Sequence, residues 1–154
     1  MGAQRMGAIS TLLALLVPSI APIAGFILGK HTKEELKAGK KYFVAMQHVL
    51  FIALATIFIY SHKWSLFVNI PALTAVFAYL AFKQARDPFI AETLFGIAFA
   101  LSARTNSLFL ISALTFLYGL PTGSSFVTQK KGFWKAIIAG LLFAIVAYGA
   151  SYLL

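Results

Sequence analysis

From Ala8 to Leu28 the chain carries no charged side chain, and runs of the same kind recur at 42–60 and 64–82. Each is close to the length of helix, about 20 residues, that crosses about 30 Å of hydrocarbon. Lipid offers the backbone no hydrogen-bond partners, so such segments satisfy their own amide groups as helices. The 154 residues are 60% hydrophobic and 11% charged, whereas soluble domains carry about 25% charged residues. The chain is therefore expected to be an all-α integral membrane protein, a single transmembrane helical domain over residues 1–154.

Three further segments complete the expectation. The run 133–153 is full length, interrupted only by Lys135 near its start. The stretch 89–120 is broken by the polar sequence Ser102 to Ser107, which divides it into 89–103 and 106–120. About 15 residues of helix reach only about 22 Å. These two segments therefore either cross as short spans or enter and leave by one face as a re-entrant hairpin. The total is six spans: 8–28, 42–60, 64–82, 89–103, 106–120 and 133–153.

The basic residues orient them. With the amino terminus on side A, that side holds Arg5, Lys63 and Arg104. Side B holds Lys30, Lys33, Lys37, Lys40, Lys41, Lys83, Arg86, Lys130, Lys131 and Lys135. The bias of loop Lys and Arg toward the cytoplasm makes side B cytoplasmic and places both termini outside, in a cell (inner or plasma) membrane. Tyr42, Phe89 and Trp134 fall near side B ends, and Tyr60 and Trp64 near side A ends, where amphipathic rings prefer to sit. The first run exceeds the apolar core of a secretory signal, so it is expected to remain as a span.

Local signals set helix ends. Asp87-Pro88 reads as an N-cap followed by proline at the first helical position. Gly119 with Pro121 reads as a helix stop, leaving Gly123-Ser124-Ser125 in a loop. Thr32 and Glu35 have capping-box spacing, predicting a helical turn before Gly39.

Three spans followed by three invite a 3+3 inverted repeat. Leu50 to Tyr60, LFIALATIFIY, matches Leu108 to Tyr118, LFLISALTFLY, at five positions that include Phe51/Phe109 and Tyr60/Tyr118. Pro18 and Pro22 interrupt the first span. Either they break it, offering freed carbonyls and Ser19 to a substrate or ion, or they make a static kink repacked by neighbours. Gly25 and Gly29, and Ala136, Gly140 and Ala144, have the small-xxx-small spacing of close helix packing, within one chain or across a homodimer.

Two ionisable residues fall inside apolar runs, His48 and Glu92. Side by side they would relay protons or bind a cation; apart they are hydrogen-bonded packing groups. Asn69, Thr74, Ser102, Thr105, Asn106, Ser112 and Thr115 line a polar path or join helices. The expected site lies between the two halves near Ser19, His48, Glu92 and Asn106.

Several chemistries are disfavoured. The absence of cysteine removes thiol catalysis, thiolate metal sites and disulfides. No intramembrane carboxylate pair and no metal-ligand spacing among His31, His48 and His62 is present. The chain is thus read as no enzyme, with no cofactor and no metal. The topology rule already accounts for the lysines, so the expected partners are the bilayer and anionic lipid headgroups at the cytoplasmic face rather than nucleic acid.

The segment Pro18-Ser19-Ile20-Ala21-Pro22, with six spans and outside termini, is similar to the small exporters and electron carriers of the lysine-exporter superfamily. The membrane cysteines of the electron carriers and the superfamily's fourth-span motif are absent, so neither a residue role nor an activity is carried over. The function expected is a small polytopic membrane transport protein; the alternative is a non-catalytic integral subunit or scaffold of a larger membrane complex.

Overall fold

A computed structural model describes residues 8–62, 87–103 and 105–153. The described residues are helical: α1 (Ala8–His31), α2 (Lys33–Ser61), α3 (Pro88–Ser102), α4 (Leu108–Ser125) and α5 (Gly132–Leu153), with a 3-10 turn at Phe126–Thr128. Four of these, α1, α2, α4 with its 3-10 turn, and α5, are long and apolar enough to cross a membrane; α3 is shorter. The third expected span, 64–82, with Asn69 and Thr74, lies outside the described residues, as do Arg5, Lys63, Lys83, Arg86 and Arg104.

α4 is the central helix, with α1 packed along one flank and α2 along another, while α5 lies against both α1 and α3. Side-chain meetings give the directions. Ala14 meets Ser112, Ala21 meets Gly119 and Gly29 meets Ser124, so α1 and α4 run parallel. Ser19 lies on Gly140 and Phe26 on Phe133, so α5 runs antiparallel to α1. Gln47 meets Thr122 and Phe51 meets Tyr118, so α2 runs antiparallel to α4. In this register the α3–α4 turn is level with the start of α1. The α3–α4 hairpin therefore reaches the end of the bundle at which α1 begins.

The packing is inverted relative to a soluble protein. Buried positions are dominated by alanine, glycine, serine and threonine, including Ala21, Ala91, Ala136, Ala139, Ser112, Thr115 and Thr122. Large aliphatic side chains face outward, Leu28 at 58% exposure and Ile145 at 67%. Water would penalise that surface heavily. In lipid, association rests instead on close backbone approach and interhelical hydrogen bonds, for which small residues are suited.

Glycines mark where backbones touch. A methyl at Gly123 would meet the Pro22 carbonyl carbon at 2.7 Å, and one at Gly25 would meet the Leu120 backbone at 2.8 Å. Gly140 similarly admits the Ser19 carbonyl. The glycine faces at 25, 29 and 140 are thus occupied within the chain.

Three local expectations are corrected. The fifth segment does not stop at Gly119 and Pro121: α4 continues to Ser125, so Gly123, Ser124 and Ser125 are helical rather than looped. Pro121 is fully buried, and Gly119 and Gly123 serve as contact points for α1 rather than as terminators. At Thr32 no capping box forms. Its Oγ1 donates backward to the Leu28 carbonyl at 3.2 Å, and α2 runs straight through Gly39. By contrast, Asp87 caps α3 as read, its carboxylate accepting from Phe89 N at 3.0 Å with Pro88 following.

The two segments that match in sequence differ in environment. Phe51 is buried where Phe109 is half exposed, and Tyr60 is exposed where Tyr118 is buried. A small apolar alphabet repeats letters without repeating contacts.

Candidate functional site

The proline kink is closed. Pro18 has no N–H to give the Ala14 carbonyl four residues earlier, and Ser112 of α4 supplies the missing donor, its Oγ 2.6 Å from that carbonyl. The Ser19 hydroxyl is equally engaged, donating to Leu15 O at 2.7 Å on its own helix. Ser124 joins the same helix pair, its Oγ reaching Gly25 O at 2.9 Å and Leu120 O at 3.0 Å. The Ala14 carbonyl freed by Pro18 is therefore used in helix packing, and the Ser19 hydroxyl proton is engaged on its own helix.

Of the remaining candidates, Asn106 is exposed in the α3–α4 turn, where a cleft of about 640 Å³ is lined by Thr56, Ser61, Thr105, Asn106 and Ser107. This is the opposite end of α3 from Glu92, about 15 Å along the helix axis from Glu92 to Ser102. His48 is half-buried, and its Nδ1 donates to Val44 O at 2.6 Å. No hydrogen bond or ion pair joins His48 to Glu92.

Glu92 is the exceptional residue. It is 1% exposed, and its Oε1 is buried without a hydrogen-bond partner. It also lies deeper than its sequence position implies. Phe89, one turn earlier, packs on the Phe126, Ala136 and Ala139 cluster together with Phe26 of α1. α3 thus begins inside the bundle, and Glu92 is level with the Pro22 region of α1, about 12 Å along that helix from its His31 end. By the α2–α4 register His48 sits at the same depth. Ser19, His48 and Glu92 thus share a layer, and Asn106 does not belong to it.

A crevice of mixed, mainly apolar lining that includes Leu36, Phe43 and Val44 opens toward that layer from the end bearing Lys30 and Lys130. It has a volume of about 250 Å³ between α2 and α4, lined by Gln47, Pro121, Ser124, Ser125, Thr128 and Gln129 among others. Its floor is bonded shut. Gln47 Nε2 donates to Thr122 Oγ1 at 2.9 Å, and Thr122 Oγ1 donates to Tyr118 O at 2.9 Å. Beneath it Tyr118 stands edge-on to Phe95 at 4.6 Å between ring centroids, with Phe51 against both. Sequence reasoning placed Ser124 and Ser125 in a loop and left Thr122 and Gln129 unmarked. Only the continuation of α4 past Pro121 distinguishes them, bringing Ser124, Ser125 and Gln129 to the crevice wall and Thr122 to the hydrogen bond with Gln47.

No family model, curated protein or solved structure matches the chain. Among the described residues the fold is helical, with four helices long and apolar enough to span a membrane.

Proposed function

We propose that this chain is a small membrane transport protein in which Glu92 is the site of proton or cation binding. The observation that carries this is the Glu92 carboxyl, fully buried at the depth of the α1 kink with one oxygen unpartnered. Charge on such a group is costly unless a proton or cation accompanies it. A protein that only needed packing there has a cheaper choice in any apolar residue of similar volume.

The topology of this reading is six crossings with both termini outside and the lysine-rich loops cytoplasmic. It is supported by where the described helices end: α2 ends on the side where α1 begins, and α3 begins on the other. An inverted repeat plays no part in it, and Glu92 replaces the four-residue cluster expected from sequence.

The second reading, a non-catalytic integral subunit of a larger complex, is favoured by the interlocked α1–α4 contact around Pro22, Gly119 and Gly123, which resembles a static frame. One experiment separates the two. Purified chain is reconstituted into liposomes and proton flux is followed with an entrapped pH-sensitive dye under an imposed potential, first with protons alone and then with sodium or potassium gradients. The transport reading expects flux that Glu92→Gln abolishes and Glu92→Asp partly retains. Absence of flux in every arm, from protein that is folded and inserted, rejects it.

A further inference from the structure

The turn from α4 into α5 carries three lysines, Lys130, Lys131 and Lys135, around a recess of about 520 Å³ closed by Phe89, Trp134 and Ile138. Lys131 has φ 58°, in the left-handed region that a lysine adopts only at a cost. The Lys135 ammonium is fixed by donation to Gln129 Oε1 at 2.7 Å. The wall below the lysines is apolar and open: Trp134 is 62% and Ile138 51% exposed, and Leu141 and Ile145 continue the stripe. Positions 134, 138, 141 and 145 follow the spacing of one helix face. They run for about 16 Å along the axis, which is about half of a 30 Å hydrocarbon core.

We propose that this recess and stripe bind one anionic phospholipid of the cytoplasmic leaflet. The phosphate and its second anionic or hydroxylic headgroup lie among Lys130, Lys131 and Lys135. One acyl chain lies down the face from Trp134 to Ile145. Charge complementarity accounts for the lysines and leaflet depth for the stripe; a soluble phosphate has no use for the stripe, and a purely apolar partner has none for the lysines. Tryptophan at the junction matches the preference of its ring for the headgroup boundary. The proposal rests on the chain residing in a bilayer and not on what it transports.

Trp134 reports occupancy directly. In a Trp64→Phe background it is the sole tryptophan, and its fluorescence is quenched by lipid whose acyl chains carry bromine. The protein is placed in bilayers containing brominated phosphatidylglycerol or brominated phosphatidylcholine. The relative association constant for the anionic lipid is expected to exceed that for the zwitterionic one by about tenfold, given the attraction of each lysine near the surface. Combined Lys130→Gln, Lys131→Gln and Lys135→Gln is expected to bring the ratio near one, and Lys131→Gln alone to lower it about threefold. Lys30→Gln, an exposed lysine at the same end, leaves it unchanged, and excess glycerol phosphate does not displace the lipid. Equal quenching by both lipids, equal loss with Lys30→Gln, or full displacement by glycerol phosphate overturns the site. Absence of quenching by either lipid shows instead that Trp134 is not in a bilayer, which overturns the membrane reading with it.

Discussion

Ser112 and Ala14 are joined across two helices by a hydrogen bond of 2.6 Å, and the carbonyl that accepts it is the one Pro18 leaves without its in-helix donor. A lesion in one helix is repaired by a hydroxyl of its neighbour. The pair therefore couples the kink to the α1–α4 interface.

This coupling predicts a specific non-additivity. Ser112→Ala should destabilise the folded chain by about 1–2 kcal/mol, because a buried carbonyl loses its partner. Pro18→Ala restores a backbone donor to Ala14, so Ser112→Ala in that background should cost little. Thermal or denaturant unfolding in detergent of the four proteins of the cycle gives the interaction energy, expected at about 1 kcal/mol. A zero coupling would show that the hydroxyl is incidental.

Glycine positions should divide by contact. Gly123→Ala places a methyl against the Pro22 carbonyl group and should cost about 1–3 kcal/mol through forced separation of α1 and α4. Gly149→Ala, where nothing lies within 4 Å, should be neutral or slightly stabilising. The comparison is made by melting both variants in the same detergent.

Glu92 predicts a trade between stability and activity. Glu92→Met replaces a carboxyl lacking one partner with an apolar side chain of similar length. It should stabilise the fold by about 1–3 kcal/mol while removing flux in liposomes. A destabilised Glu92→Met protein would mean that the carboxyl is structurally satisfied.

The chain has no cysteine, so single substitutions report accessibility without background. With a membrane-impermeant maleimide, Thr128→Cys at the crevice mouth should label only from the cytoplasmic side and Asn106→Cys only from the other. Ser112→Cys, buried between α1 and α4, should resist labelling from both. Labelling of 106 and 128 from one side would remove the topology on which the crevice's direction depends.

The order of residues along the chain already dictates a helical polymer with apolar segments long enough to cross a membrane. Uncharged runs of bilayer length, lysines at their ends and the Asp87-Pro88 start of α3 act locally, through backbone satisfaction and capping, so they are visible without tertiary contacts. The buried faces are not visible in this way. In a soluble helix the core face is the apolar one, but in α1 or α5 every face is apolar, and the buried stripe is marked only by small residues whose partners lie on other helices. Hence Gly25 and Gly140 signal close packing without naming Leu120 or Ser19, and Pro121 reads as a stop although burial against α1 and α2 carries the helix through it. The depth of Glu92 has the same origin: its position in α3 is local, but where α3 sits relative to α1 is decided by Phe89 packing beneath the α4–α5 turn. Tertiary structure alone settled which hydroxyl serves the kink and that Glu92 keeps one buried carboxyl oxygen without a hydrogen bond.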